Sequence, residues 1–594
     1  MKRILAVLLT LCLCVALLAG CANYNTGEVT NIDEVAKEMQ ALYGENRVLK
    51  GSYDKSLAVT CNNGTFVGSE KNGVLSFKGI PYAEVPVGDL RWKDPVDAKD
   101  SDVVREALYY GDSAIQSDAE SEVASYYPQS EDCLNLNVWV NTKNKSQNKT
   151  VMVFFHGGSY GWGGTVDPLY DGQNLVEKYD DLILVTVDYR VGFMGFVDFS
   201  SVPGGEDFKT SGNLGLLDQV SSLRWVQRNI AKFGGDPENV TIFGESAGGG
   251  SVSLLPLIDG TEGLFARVIA ESGSIALSFA KEECQSQTEQ LLEESGCKTM
   301  DDLMALSTEK LQAVMDVISD NNTFPERDGV VLPEDLYKAY ADGEAANVDM
   351  MVGTNADEAR YWINEMGYST DKLDGYTIYR IGMPIMLENN LKAVSDEDMQ
   401  YIDRFMDLQT DEKVWNITEF YNEMLFRLPA LAQAESNSKN GGRAYVYYWS
   451  YPSAYDLIGA CHAVELAYVF NNLDETIYTG DNIDKDLADA TQDMWVNFAR
   501  TGDPSTEAYK WDTYDTETRK TMVLDKDIHM ESDLLSEQRK ALEPILKYHF
   551  NGCYSQLSVN VPTIRKAVAA VVLVLAALIA AIVFAVRRHR KKEQ

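Results

Sequence analysis

Residues 240–243, an apolar run of strand length, pass without a break into Gly244-Glu245-Ser246-Ala247-Gly248 and a glycine-rich helix start. A strand ending on Gly-x-Ser-x-Gly must turn sharply into a helix. Side chains at either glycine would clash across that turn, and the serine is lifted above the strand ends. The strand therefore has to lie inside a sheet whose carboxyl edge is open. With 44 glycines in 594 residues the five-residue string alone carries little weight; the strand before it and the helix after it carry the constraint.

Other runs of strand length, each punctuated by turns, occur at 150–155, 182–187, 348–352 and 444–449. Helical patterns lie between them, as over 216–233, where Leu223, Val226 and Ile230 share one face. Near-continuous apolar strands alternating with helices indicate a sheet covered on both faces. The expected fold class is α/β, with a mostly parallel central sheet and helices on both faces. No repeat, low-complexity tract or Pro/Gly linker divides residues 51–550, which are expected to form one large domain.

A serine hydroxyl is a weak nucleophile and needs a base. Of the five histidines, His589 falls in a terminal basic run and His156 in the loop His156-Gly157-Gly158-Ser159. His529 and His549 fall in a late region read as helical. His462, in Gly459-Ala460-Cys461-His462 beyond the 444–449 run, is left as the base. Glu358, after the 348–352 run and a turn opened by Gly353, would orient the imidazole, with Asp357 its nearest rival. Backbone N–H groups of Ala247 and of the 157–159 turn would receive an oxyanion. The plainer readings are a structural histidine at 462 and a glycine turn that serves packing only. No Cys/His spacing suggests zinc, and no cofactor or metal is implied.

Further segments extend the pattern: Phe77-Lys78-Gly79-Ile80-Pro81-Tyr82-Ala83, Ser130-Glu131-Asp132-Cys133-Leu134-Asn135-Leu136-Asn137-Val138, Asn213-Leu214-Gly215-Leu216-Leu217-Asp218-Gln219, Phe233-Gly234-Gly235-Asp236-Pro237 and Asn497-Phe498-Ala499-Arg500-Thr501-Gly502-Asp503-Pro504. With the serine segment, over roughly 55–550, the chain resembles the type-B carboxylesterases of the α/β-hydrolase fold. That family includes para-nitrobenzyl esterases, mammalian carboxylesterases and cholinesterases. The resemblance implies a triad of Ser246, Glu358 and His462, oxyanion amides at Gly158, Ser159 and Ala247, and hydrolysis of a small-molecule carboxylic ester through an acyl-enzyme. Loops at 162–170, 361–379 and 410–426 are expected to build the acyl and alcohol pockets. Two departures stand out. Ser159 occupies the place of a third glycine. The segment expected to hold a disulfide partner for Cys133 reads Gly111-Asp112-Ser113-Ala114-Ile115-Gln116, so that bridge is expected to be absent and cholinesterase activity is disfavoured. A non-catalytic adhesion protein resembling the neuroligins is the rival reading.

Both ends point to a membrane. Residues 1–20 read as a signal peptide, and Leu18-Ala19-Gly20-Cys21 resembles a lipobox that would lipidate Cys21; ordinary signal-peptidase cleavage is the alternative. Residues 21–50 read as a tether with a short helix near 32–43. Residues 551–566 read as a juxtamembrane linker. Residues 567–586 hold no charged side chain and are long enough to span the ~30 Å hydrocarbon core as a transmembrane helix. The basic tail 587–594 then faces the cytoplasm, placing the 51–550 domain outside the cell membrane in a single-pass arrangement. Formal net charge is −38, and nine basic residues lie in the leader or beside the terminal run, so the body is more acidic still. Nucleic-acid binding, which needs a basic footprint, is disfavoured. Cys284 and Cys297 are separated by a helical pattern over 285–294 that holds their ends ~15 Å apart, too far for a disulfide.

Overall fold

The computed structural model describes residue 37 and residues 39–550, apart from 117–126, 319–322, 364–374, 410–411 and 549. The leader, Cys21, His549, the 567–586 run and the basic tail lie outside the described residues. Among those described, no helix is long and apolar enough to cross a membrane.

An eleven-stranded sheet organises the body. In chain order its strands are β1 (Ser69–Lys71), β2 (Val74–Pro81), β3 (Asn135–Asn141), β4 (Lys149–Phe155), β5 (Leu182–Val187), β6 (Gly235–Glu245), β7 (Arg267–Glu271), β8 (Asp349–Asn355), β9 (Ala444–Trp449), β10 (Lys520–Leu524) and β11 (His529–Ser532). Their spatial order is β11-β10-β9-β8-β7-β6-β4-β5-β3-β2-β1. Every pairing from β5 across to β10 is parallel; the flanking pairings are antiparallel. Every residue of β4 and β5 is buried, so both faces of the centre are covered. β1 is wholly exposed and carries Glu70 and Lys71, charges that deter further pairing at that edge.

Helix α1 (Leu214–Asn229) runs on as a 3-10 turn to Phe233, matching the expected 216–233 pattern. It ends where Gly234 takes φ 91°, a left-handed conformation suited to glycine. Asp218 of α1 and Arg190, just beyond β5, form a forked pair with both side chains buried.

Two expectations change. His529 is not in a helix: it opens β11, the exposed edge strand, and its Nδ1 lies 2.7 Å from the Asp527 carbonyl. Alternation across an edge strand leaves too few apolar residues to announce a strand in sequence. The 21–50 segment is not a free tether over its second half. Met39 is buried in the core, and Leu49 N–H donates to the Val104 carbonyl. Asn46 satisfies four backbone groups, accepting from the Leu108 and Tyr109 amides and donating to the Lys78 and Tyr109 carbonyls. The Gly111–Gln116 region keeps a defined shape. Ser113 and Ala114 pair with Gln129 and Ser130, while Cys133 remains a buried free thiol. Cys284 lies within α2 (Lys281–Ser295) and Cys297 just beyond it; both are buried and no disulfide joins them.

Candidate active site

Ser246 stands where β6 gives way to α3 (Ala247–Leu254), at φ 56° and ψ −119°. Such a conformation in a non-glycine residue costs about 1–3 kcal/mol and persists only where its surroundings enforce it. They do so here. The Ser246 amide donates to the Glu271 carbonyl at 2.9 Å, and its carbonyl accepts from Gly250 at 2.8 Å. A Cβ on Gly248 would come within 1.9 Å of the Phe155 carbonyl oxygen, and one on Gly244 within 2.6 Å of the same atom. The two glycines of the motif are required because β4 passes directly beside the turn.

His462 arrives on the loop after β9, and Glu358 on the turn after β8. The imidazole Nδ1 lies 2.6 Å from Glu358 Oε2, and both side chains are buried. Asp357 points elsewhere. Its Oδ2 accepts from the Ala460 amide at 2.9 Å, and its Oδ1 pairs with Arg360. It ties down the histidine loop, while the adjacent acid meets the ring. The other ring nitrogen, Nε2, lies 3.2 Å from Glu245 Oε1. Ser246, Glu245 and His462 all line one pocket. The close approach of Glu245 was missed in the sequence, although its place beside the serine was the available signal.

The electrostatics follow from these distances. Burial pulls the His462 pKa down, but Glu245 and Glu358 override it and push it up to about 9. Glu465, also buried, is raised to about 7 by loss of solvent and by Glu358. Glu271 is pushed far above the ordinary carboxylate range, first by burial and then by Glu465. His156 behaves oppositely. It stacks on Tyr189 at 4.4 Å, has Nδ1 2.8 Å from the Gly157 carbonyl, and is held down to about 4 by burial, which keeps it neutral.

The loop beyond His156 is turned by left-handed residues: Gly158 at φ 102°, Ser159 at 52° and Tyr160 at 55°. A Cβ on Gly158 would meet the Trp162 carbonyl oxygen at 2.2 Å. Gln116 braces the loop by accepting from the Gly163 amide and donating to the Gly163 carbonyl, both at 2.9 Å. Ala247 opens α3, where leading amides have no partner within the helix.

The pocket, open to solvent, is walled by Trp162, Tyr170, Tyr361, Trp362, Leu425 and Phe426, from the three loops expected to shape it. Leu277, Phe324 and Tyr478 also line it and come from segments that sequence had not singled out. Leu425 and Phe426 sit in a π-helical turn, Asn422–Arg427. Asn422 in that turn accepts from the Ala359 amide and donates to the Ala356 carbonyl, bracing the Glu358 turn. Among the described residues, no group of three or more His, Cys, Asp or Glu side chains is arranged to hold a metal ion.

Sheet order, the strained serine after β6 and the glycine turn after β4 are those of an α/β-hydrolase. Residues 55–542 match the model of the Carboxylesterase family. The chain belongs to that family, in its type-B branch, and is a serine carboxylic ester hydrolase. It is 37% identical to the para-nitrobenzyl esterase of Bacillus subtilis (strain 168) over 509 residues, covering 82% of this chain and 98% of that protein. Liver carboxylesterase 1 of Oryctolagus cuniculus is 32% identical, over 74% of this chain and 84% of its own. Among solved structures, a carboxylesterase from Geobacillus stearothermophilus superimposes with a TM-score of 0.72 at 30% identity, covering 82% of this chain and 99% of that one.

Proposed function

We propose that this esterase works through a Ser246–His462–Glu358 triad with oxyanion amides at Gly158, Ser159 and Ala247. The observation that carries the reading is the 2.6 Å contact between Glu358 and His462, opening onto the pocket that Ser246 also lines. Neutral His462 takes the Ser246 Oγ proton at Nε2 as Oγ bonds to the ester carbonyl carbon. The carbonyl electron pair moves to the oxygen, which the three amides receive. The tetrahedral intermediate collapses, the C–O bond to the alcohol breaks, and the alcohol leaves with the proton from Nε2. Water then attacks the acyl-enzyme by the same proton path and releases the acid and Ser246. In the resting conformation Nε2 faces Glu245, and catalytic hydrogen bonds of this kind commonly tighten only when substrate is bound.

The aromatic pocket wall suits a neutral ester with an apolar acyl or alcohol group. The catalytic body is proposed to sit outside the cell, spanning the membrane once through 567–586, with lipidated Cys21 as a second anchor. The test is hydrolysis of p-nitrophenyl butyrate by the full chain in detergent beside Ser246→Ala. Loss of about 10³-fold or more in kcat, with an unchanged thermal midpoint, is expected; equal rates from the two proteins would end the proposal. Carbonate-resistant pelleting of full-length protein, abolished by removing 567–594, and diacylglyceryl on Cys21 in mass spectra test the anchors.

A further inference from the structure

We propose that Asn355 is a positioning residue for the reaction: its backbone N–H holds the acid, and its side-chain amide ties the histidine loop to a neighbouring carboxylate; the proposal rests on the triad reading above. Asn355 is the last residue of β8 and is buried. Its backbone N–H donates to Glu358 Oε1 at 2.7 Å. Its Nδ2 donates to the Cys461 carbonyl at 2.9 Å and to Glu465 Oε2 at 2.6 Å.

Each bond has a distinct consequence. With Glu358 Oε1 engaged by the amide, Oε2 is the oxygen that meets the imidazole, so the carboxylate cannot rotate freely about its axis. The Cys461 carbonyl belongs to the peptide joined to His462, so the second bond fixes the backbone that carries the ring. The third bond favours the ionised form of Glu465 against the pull of burial. Ionised Glu465 in turn stabilises the imidazolium of His462. Asn355 thus acts on both position and charge of the base without touching a reacting atom.

Only a primary amide fits. It offers two hydrogens, and both are used. Aspartate would offer neither and would add a carboxylate to a site that already holds Glu245, Glu271, Glu358 and Glu465. Serine or threonine would offer one. The titratable groups that face His462 and Glu465 are Glu245 ending β6, Glu271 ending β7, Glu358 and Tyr361 after β8, the latter ring edge-on to the imidazole at 5.8 Å, and Tyr447 on β9. Ser272 Oγ also donates to Glu465 Oε1, at 3.4 Å. Asn355 brings the only side-chain amide hydrogens that reach this carboxylate group among the bonds formed by the described residues.

The experiment uses the full chain in detergent, with active sites counted by the p-nitrophenol burst. Ser246→Ala is measured first; should it retain activity, the triad reading falls and the present proposal falls with it. Given an inactive Ser246→Ala, Asn355→Ala is expected to lose about 10-fold or more in kcat with KM changed by less than about 3-fold. Its Glu465, deprived of the amide, keeps its proton to higher pH and no longer raises His462. The acid limb of kcat/KM therefore moves to lower pH, by about half a unit or more. In a Glu465→Gln background, adding Asn355→Ala should move the limb no further, while the loss in kcat remains. A fall in active-site count alone, with an unmoved limb and wild-type kcat per site, overturns the proposal and leaves the triad standing. Should Asn355→Ala not fold, Asn355→Ser is measured instead; an intermediate kcat and limb support the proposal, and wild-type values overturn it.

Discussion

Replacing Glu245 with glutamine should move the enzyme's acid limb to lower pH, and the structure sets the size of the shift. Glu245 Oε1 lies 3.2 Å from His462 Nε2. At that distance two unit charges in an effective dielectric of about 20 attract by roughly 5 kcal/mol, an upper bound. Burial of His462 opposes this attraction, and the balance, with Glu358 helping, leaves the ring at about 9 instead of 6.5. That net rise is worth on the order of 3 kcal/mol. Glu245 is the largest of the raising charges, so its removal should lower the pKa by about 1–2 units. The sign follows from the chemistry: a general base works when neutral, so kcat/KM climbs as pH rises through the pKa of the free enzyme. Glutamine keeps the shape of the side chain and deletes the charge. The assay is kcat/KM for p-nitrophenyl acetate from about pH 5.5 to 9.5, corrected for spontaneous hydrolysis. The midpoint of the limb is the readout, because the plateau also reflects how well the ring is placed. Superimposable limbs, or a shift to higher pH in Glu245→Gln, would refute the electrostatic account.

Gly158→Ala should lower kcat by about 10²-fold or more, since the new Cβ would strike the Trp162 carbonyl oxygen at 2.2 Å and twist a proposed oxyanion amide away. Steady-state kinetics beside circular dichroism would show whether the fold survives while the rate falls. Ser159→Gly should keep activity, because the proposed oxyanion role needs only its backbone N–H. Relief of a φ of 52°, less the added chain entropy, should change stability by a gain of no more than about 1 kcal/mol; a loss of that size in thermal melts would contradict the assignment. Asp218→Asn should cost about 3–5 kcal/mol in urea unfolding, because it strands the buried guanidinium of Arg190.

Much of this architecture is legible in the chain because its central strands are hydrophobic throughout. Leu182–Val187 and Ala444–Trp449 coincide with their apolar runs residue for residue. β1 and β11 are polar and exposed, so nothing in their hydropathy separates them from loops. β7 opens on Arg267 and closes on Glu271, leaving only three apolar residues between its charges, too few to mark a strand in sequence. Within the site, Ser246, Glu358 and His462 stand out because each follows a strand. Asn355 and Glu465 do not, because their importance lies in contacts that the sheet alone brings together. Asp357 and Glu358 are likewise told apart only in the folded chain, since a one-residue difference on a turn sends two carboxylates in different directions. Leu277, Phe324 and Tyr478 were invisible as pocket walls for a similar reason.

Cys61, Cys133, Cys284, Cys297 and Cys461 are all buried with their sulfurs unbridged. The body gains no stability from covalent cross-links among these five, and burial pushes the thiols of Cys61, Cys133 and Cys461 upward, away from the reactive thiolate. A catalyst built this way can mature without an oxidising foldase, and dithiothreitol should leave its turnover untouched.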